Sequence, residues 1–313
     1  MRHYFVFPCR SSLARWSRRT LAPLGLLLGA TCAFSLSGDL PTLHKVNVEA
    51  AVSRDSSTGI YYYDYSLTND KANRGEIEEL SIVIWRDSAS TIAFDTSGLQ
   101  FAGRRFAEES FRNDFAHLGP WIVPVGFARM PSGWIPWSGG NRPYASTSKD
   151  RDFIKPGQGV DGIVIMSRGL PGVRQCEVKP DFNVDRYLPN EDDVDVIDSV
   201  MQTTWYEGLT VGPWSPPAKF DAFVFLDTLS SFVREARRER WITFDQAAER
   251  YTRLFDRAKT ALRQSMPQTV SEVLRNVLAG ADDDKGKTLK PEADALIRYN
   301  TEYLLNALLK RAK

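Results

Sequence analysis

Residues 59–69, "GIYYYDYSLTN", determine the fold class of the first half of this chain. Large apolar and aromatic residues occupy every second position, and Asp64, Ser66 and Thr68 occupy the positions between them. Alternate residues of a β-strand point to opposite faces of the sheet, so this pattern predicts a strand with one buried face. The buried face is predicted to contain Tyr61, Tyr63, Tyr65 and Leu67.

The same alternation recurs on both sides of this stretch. It appears in "HKVNVEAAV", "IEELSIVIW", "VDGIVIMS" and "VRQCEVK", and clusters of Gly, Pro, Asn and Asp separate the segments. Short alternating strands with turn residues between them are typical of antiparallel sandwiches. We therefore expect an all-β, immunoglobulin-like sandwich over residues 41–180.

From Phe220 onwards the apolar residues fall three or four positions apart, which is the period of an amphipathic helix. Four such segments follow one another with short connections, and Pro267 and Pro291 lie at or near the breaks between them. This pattern predicts an antiparallel four-helix bundle over residues 205–313. The whole chain is then an α+β protein whose strands and helices occupy separate domains.

Several details of the bundle can be predicted from the helical stripes. We expect Thr243 and Gln246 to form a capping box, Gly280 to end the third helix, and Asn300 to need a hydrogen-bond partner on its apolar stripe. The residues expected to be buried together are Phe223, Leu254, Phe255 and Leu304.

Residues 181–204 are acidic and poor in large apolar residues, and we expect them to be a linker that proteases cut first. The two domains should then fold separately. Asp192, Asp193 and Asp195 could bind calcium, although such acidic loops are usually only solvated. A second acidic stretch, "ADDDKGKTLKPE", places Ala281 and Lys285 where a calcium loop needs ligands, so we expect a solvated helix–helix loop there.

Residues 1–37 combine five arginines and no acidic residue with an apolar run from Leu21 to Leu36. Pro and Gly interrupt the run, which is too short for a membrane-spanning helix of about 20 apolar residues. A basic start, an apolar segment and the small residues Ala33, Ser35 and Ser37 predict a cleaved export signal. The mature protein is then periplasmic or extracellular, with no membrane span.

The export route has alternatives. Residues 17–21 resemble the twin-arginine export motif, although Ala22 and Pro23 depart from it. Lipid anchoring at Cys32 and an uncleaved N-terminal anchor are the other possibilities. Cleavage would also change the charge of the protein. The whole chain has 40 basic and 39 acidic residues, and loss of the five arginines of residues 1–37 leaves a formal net charge of −4. This charge is unfavourable for a nucleic-acid partner. Cleavage would also leave Cys176 as the one cysteine, so no intrachain disulfide could form.

The segments "GLTVGPW", "FDAFVFLDTLSSFVREARRERWI", "AAERYTRLFDRAKTAL" and "LKPEADALIRYNTEYLLNAL" resemble, in order and spacing, the FIMAH-type helical domain of exported bacterial and archaeal proteins. The resemblance covers residues 205–309, and the third helix departs from the family pattern. No enzymatic role is established for that family, so the resemblance implies a surface-exposed accessory module.

The first half is similar to immunoglobulin-like or fibronectin-like domains that are common in exported bacterial proteins of unknown function. The segments that carry this likeness are "YYYDYSLTN", "IEELSIVI", "MPSGWIPW" and "IKPGQGVDGIVIMSRGLPG". The resemblance implies a sandwich, and no functional residues transfer with it.

Residues capable of catalysis are sparse in this sequence. The histidines outside the signal are His44 and His117, Cys176 lies in a predicted buried strand, and no nucleophile elbow, phosphate loop or dinucleotide fingerprint occurs. The adjacent carboxylates Glu78–Glu79 and Glu108–Glu109 are expected to be solvated. We therefore predict no catalytic, metal or cofactor-binding residues and a non-enzymatic protein, with an unfamiliar hydrolase as a minor alternative.

The most suggestive stretch for ligand binding is "LGPWIVPVGFARMPSGWIPWSGGNRPY". Flat aromatic rings on a sandwich can stack on sugars, although large aromatics more often fill a core. The candidate stacking residues are Trp121, Trp134, Trp137 and Tyr144. The sequence thus favours an exported binding or scaffolding protein with a protein or polysaccharide partner, and the alternative is a carbohydrate-binding accessory protein.

Overall fold

The computed structural model describes residues 40–84, 125–139, 142–189, 191–215 and 219–311. These residues belong to one compact unit, Ser37–Lys313. Within it the described strands come first along the chain and the long helices follow. This order confirms the predicted α+β class, in which strands and helices are segregated along the sequence.

The described strands form two antiparallel sheets. The first sheet, in spatial order, contains β1 (Val46–Arg54), β2 (Tyr61–Asn69), β7 (Gly159–Ser167) and β4 (Val125–Arg129). The second sheet, in spatial order, contains β5 (Ile135–Gly139), β6 (Arg142–Ser146), β3 (Ile77–Ile82), β8 (Leu170–Pro180) and β9 (Tyr206–Trp214).

The tyrosine stripe of β2 is buried, as its alternation predicts. Tyr63, Tyr65 and Leu67 are all 0% exposed. The Tyr63 hydroxyl donates to the Gly169 carbonyl at 2.8 Å, and the Tyr65 hydroxyl donates to the Val211 carbonyl at 2.9 Å. Because buried hydroxyls are costly without partners, these bonds explain how tyrosines can fill a core position, and the second bond joins the two sheets.

Strand β9 comes from residues that the sequence analysis placed in the helical domain. It pairs with β8 over nine register positions, from Leu170 opposite Trp214 to Val178 opposite Tyr206. The sequence pattern did not indicate this strand because it contains Gly208, Gly212 and Pro213, which are residue types that are unfavourable in most strands. The second sheet therefore extends past the predicted linker.

Residues 181–204, predicted as a linker, contain two short helices, α1 (Val184–Tyr187) and α2 (Val194–Gln202). Each begins with a side-chain cap, in which the side chains of Asn183 and Asp193 accept from backbone N–H groups. Neither helix contains a buried residue, so both helices lie on the surface.

The second half contains four long helices among the described residues: α3 (Ala222–Arg238), α4 (Asp245–Arg263), α5 (Pro267–Asp284) and α6 (Pro291–Arg311). Successive helices run in opposite directions. Ion pairs show this, because Asp227 near the start of α3 contacts Lys259 near the end of α4, while Arg250 near the start of α4 contacts Asp284 at the end of α5.

The buried stripe of α3 differs from the predicted one by its first aromatic residue. Asp221 caps the helix, so Phe223 lies in the first turn and is 36% exposed, whereas Phe225 is 1% exposed. Phe255 and Leu304 are buried as expected, and Leu254 is partly buried. The prediction that Phe223 belongs to the buried group is wrong.

Two predicted helix boundaries are also wrong. The predicted capping box does not form, because Phe244 is the N-cap of α4 and makes no side-chain cap bond. The Thr243 hydroxyl instead donates to the Thr288 carbonyl at 3.3 Å. Gly280 lies inside α5, which continues to Asp284. Pro291 begins α6 as predicted, because its missing N–H is tolerated in the first turn.

Helix α6 packs directly against the sheets. The Ala50 N–H of edge strand β1 donates to Glu292 Oε1 at 2.9 Å, and the Tyr299 hydroxyl donates to the Val52 carbonyl at 3.1 Å. Buried Asn300 donates from Nδ2 to the Pro171 carbonyl at 2.8 Å, which confirms that it needs a partner. One cluster of buried apolar side chains therefore contains residues of both sheets and all four long helices.

No described helix is apolar over enough of its length to cross a lipid bilayer.

Candidate functional site

A groove of about 480 Å³ crosses the first sheet on the face opposite the buried tyrosine stripe. Each strand of that sheet contributes a charged side chain to it: Glu49 from β1, Asp64 from β2, Asp161 from β7 and Arg129 from β4. Met130, Pro131 and Pro291 add apolar walls. The groove thus combines charged groups with apolar surface.

Irregular strand pairing gives the groove its shape. The register shifts between Tyr65 and Ser66 where β2 pairs with β7, and again between Phe127 and Arg129 where β4 pairs with β7. Such bulges bend a strand and redirect its side chains. The first shift skips Gly162 in β7, and the second skips Ala128 in β4, directly before Arg129.

Gly162 allows the side chain of Arg129 to lie directly over the backbone of β7. Its φ of +86° is in the left-handed region that favours glycine. A Cβ at this position would lie 3.2 Å from Arg129 Nε and 3.4 Å from Nη2. Any other residue would therefore strain the strand and require the guanidinium to shift by a few tenths of an ångström.

The guanidinium of Arg129 is held at one end by Asp64. Nη2 donates to Asp64 Oδ2 at 2.8 Å, and the two side chains are 62% and 43% exposed. An exposed ion pair of this kind adds little to stability. Since a guanidinium carries five N–H donors, the contact with Asp64 leaves donors for a ligand.

The carboxylates of Glu49 and Asp161 also line the groove. Asn47 Nδ2 donates to Glu49 Oε1 at 3.0 Å and so orients that carboxylate. The arrangement offers N–H donors at its centre and oxygen acceptors around it. It suits a ligand that has both hydroxyl or amine donors and oxygen acceptors.

The aromatic residues proposed for stacking are distributed differently. Trp134 is 6% exposed and belongs to the core, where it presents no face to a ligand. Trp137 in β5 pairs directly with partly buried Tyr144 in β6, and Trp121 lies outside the described residues. Trp134 and Tyr144 do not line the groove, and the stacking hypothesis stays a prediction for Trp121, Trp137 and Tyr144.

The groups considered for nucleophilic or metal chemistry are also separate from the groove. His44 is exposed beside Thr42, and His117 lies outside the described residues. Cys176 is buried as predicted, and burial raises the pKa of its thiol to about 12, which makes it unreactive. In the parts of the chain that the structure describes, no three His, Cys, Asp or Glu side chains group as metal ligands, the run from Asp192 to Asp195 included.

The acidic stretch that begins at Ala281 is a solvated helix–helix loop only in part, because residues 285–290 connect α5 to α6 and most of them are exposed. Residues 281–284 form the last turn of α5, and Asp284 is 8% exposed. The Tyr251 hydroxyl donates to Asp284 Oδ2 at 2.7 Å, and Arg250 pairs with the same carboxylate. Two partners from α4 therefore compensate for the burial of this charge.

The predicted solvation of Glu78 and Glu79 is also wrong. A register shift between Ile77 and Glu79 places a bulge at Glu78, and Glu79 pairs with Lys179 at 2.7 Å. Burial, assisted by the nearby charge of Asp181, raises the pKa of Glu78 to about 7. The pair Glu108–Glu109 lies outside the described residues.

Stability is expected to fall with rising pH because of Glu78. Its pKa rises from 4.5 to about 7 on folding, so between these values the folded protein holds a proton that the unfolded chain releases. Between pH 5 and pH 8 the parent protein should lose about 1–2 kcal/mol more unfolding free energy than the Glu78→Gln variant, since partial exposure reduces the full effect. Urea unfolding at both pH values measures this difference.

Exposed Glu272 provides the control for this prediction. The Glu272→Gln variant should follow the parent protein at both pH values. Parallel curves for the parent and Glu78→Gln would show that the Glu78 carboxyl does not couple to folding.

The chain matches no protein-family model and no curated protein. The resemblance of residues 205–309 to the FIMAH-type domain therefore stays a prediction.

Proposed function

We propose that this chain is an exported, non-enzymatic binding or scaffolding protein that acts in the periplasm or outside the cell. The groove around Arg129 is its recognition surface. The observation that carries this proposal is the position of the Arg129 guanidinium over Gly162. A glycine in the left-handed region and two register shifts accompany an exposed ion pair, and such a pair contributes little to stability. Since the ion pair adds little stability, we attribute this local structure to ligand recognition.

In this proposal the two sheets form an immunoglobulin-like sandwich that presents the groove, and α3 to α6 form a FIMAH-like four-helix bundle that acts as a spacer or docking module. The bond from Tyr65 to the Val211 carbonyl supports face-to-face packing of the sheets. The antiparallel ion pairs between neighbouring helices support the bundle. Export is supported by the arginines and the interrupted apolar run of residues 1–37.

The partner is a protein or a polysaccharide of the cell exterior. The mixture of guanidinium donors and carboxylate acceptors in the groove suits sugar hydroxyls as well as polar peptide groups. A carbohydrate-binding accessory role is the second candidate, and the direct pairing of Trp137 with Tyr144 favours it.

Array binding with defined oligosaccharides and peptides tests the proposal. We expect at least one probe class to bind, and Arg129→Ala to weaken binding about tenfold or more because charge-assisted hydrogen bonds are lost. Gly162→Ala should weaken binding to a smaller extent, since the new Cβ strains the backbone and shifts the guanidinium by a few tenths of an ångström.

Gly59→Ala is the matched control for this experiment. Gly59 has a φ of +73°, and a Cβ there would meet nothing within 4 Å, so the variant carries similar backbone strain far from any contact. Gly59→Ala should bind normally. The recognition surface is misplaced if Arg129→Ala binds like the parent, and loss of sugar binding in Trp137→Ala or Tyr144→Ala alone would favour the second candidate.

A further inference from the structure

Four exposed apolar side chains lie at one end of the helical layer. Val224 is 58% exposed, Met266 49%, Leu309 42% and Phe223 36%. We call these four residues the helical tip. They come from three places in the chain: the first turn of α3, the connection between α4 and α5, and the last turn of α6.

Side-chain contacts show that these places share one end of the layer. The ion pair between Lys259 and Asp227 places the end of α4 beside the start of α3. The rings of Phe225 and Tyr303 lie 5.2 Å apart, which places the last third of α6 beside the start of α3 as well. Met266 directly follows α4 and caps α5, so it lies at the same end.

Basic side chains surround the helical tip. Lys219, Arg263 and Lys310 are exposed at this end. The nearby carboxylate of Asp221 accepts from the backbone N–H groups of Phe223 and Val224, where it caps α3. Positive charge is thus concentrated at this end of a protein that is acidic once residues 1–37 are excluded.

We propose that the helical tip docks onto an anionic lipid bilayer surface. Apolar side chains on separate turns can enter the interfacial region together, while the surrounding Lys and Arg side chains contact lipid phosphates. This combination of protruding apolar residues and basic neighbours matches the two attractions that hold peripheral proteins on membranes. The inference is independent of the groove and of its ligand.

Vesicle co-sedimentation of the compact unit Ser37–Lys313 tests the proposal, because the arginine-rich start of the chain would bind anionic vesicles by itself. We expect binding to vesicles that contain phosphatidylglycerol and much weaker binding to pure phosphatidylcholine. Replacing all four tip residues by Ser should weaken binding at least tenfold. Replacing Lys219, Arg263 and Lys310 by Gln should weaken it about fivefold per residue.

Phe244 provides a matched control, since it is 60% exposed at the opposite end of the layer. Phe244→Ser should bind vesicles like the parent, and circular dichroism should show that all variants remain folded. The proposal is overturned if anionic vesicles do not bind the protein, or if the tip variant binds normally. It is equally overturned if Phe244→Ser weakens vesicle binding as much as the tip variant does. A tip variant that keeps vesicle binding but changes from dimer to monomer in light scattering would also overturn it.

Discussion

Truncation of Phe255 to alanine is expected to lower the free energy of unfolding by about 3–5 kcal/mol. The ring is 0% exposed in α4, inside the cluster that joins the helices to the sheets. The variant loses the transfer free energy of the ring and leaves a cavity that a close-packed core fills only in part. Because a domain of this kind has about 5–15 kcal/mol of total stability, the loss should be large in urea unfolding followed by circular dichroism.

Phe244→Ala is the control that separates burial from residue type. It removes the same atoms at the N-cap of the same helix, from a side chain that is 60% exposed. Its unfolding free energy should change by less than about 1 kcal/mol, as expected for a surface position. Equal losses in the two variants would contradict the location of the core. Exposed Asp283, in the acidic turn of α5, should also tolerate alanine.

Local periodicity predicted those parts of the fold in which one residue type repeats over many positions. The stripe of β2 and the apolar stripes of α4 to α6 are examples, and Asn300 stood out because it interrupts such a stripe. Strand β9 was missed because its pairing with β8 determines its structure, while its glycines and proline conceal the alternation. Phe223 was misplaced because the cap at Asp221 fixes where the helix begins.

The charged features were harder to predict, because their partners are distant in the sequence. Asp284 is held by Arg250 and Tyr251 from another helix. The groove combines residues of four strands, of which Glu49 and Asp161 are more than a hundred positions apart. One local signal was available: Gly162 lies inside a predicted strand, and glycine inside a strand often marks a bulge.

The isolated fragment 205–313 is expected to lack a sharp cooperative unfolding transition, although its sequence pattern predicts an independent helical domain. In the structure, β9 pairs with β8 over its whole length, and α6 uses Glu292, Tyr299 and Asn300 to bond to residues of the sheets. Removing the sheets exposes the apolar face that packs on them and leaves buried polar groups without partners.

Thermal unfolding of the fragment and of Ser37–Lys313, both followed by far-ultraviolet circular dichroism, measures this dependence. The fragment should retain helical signal with a broad, low transition, whereas the compact unit should unfold in one sharp step. Limited proteolysis provides a second measurement, because α1 and α2 contain no buried residue and should be cut first. The two pieces should then remain associated in gel filtration, since the hydrogen bonds of α6 to the sheets survive the cut. A fragment that melts as sharply as Ser37–Lys313, or pieces that separate after cleavage, would show that the helices are an autonomous domain.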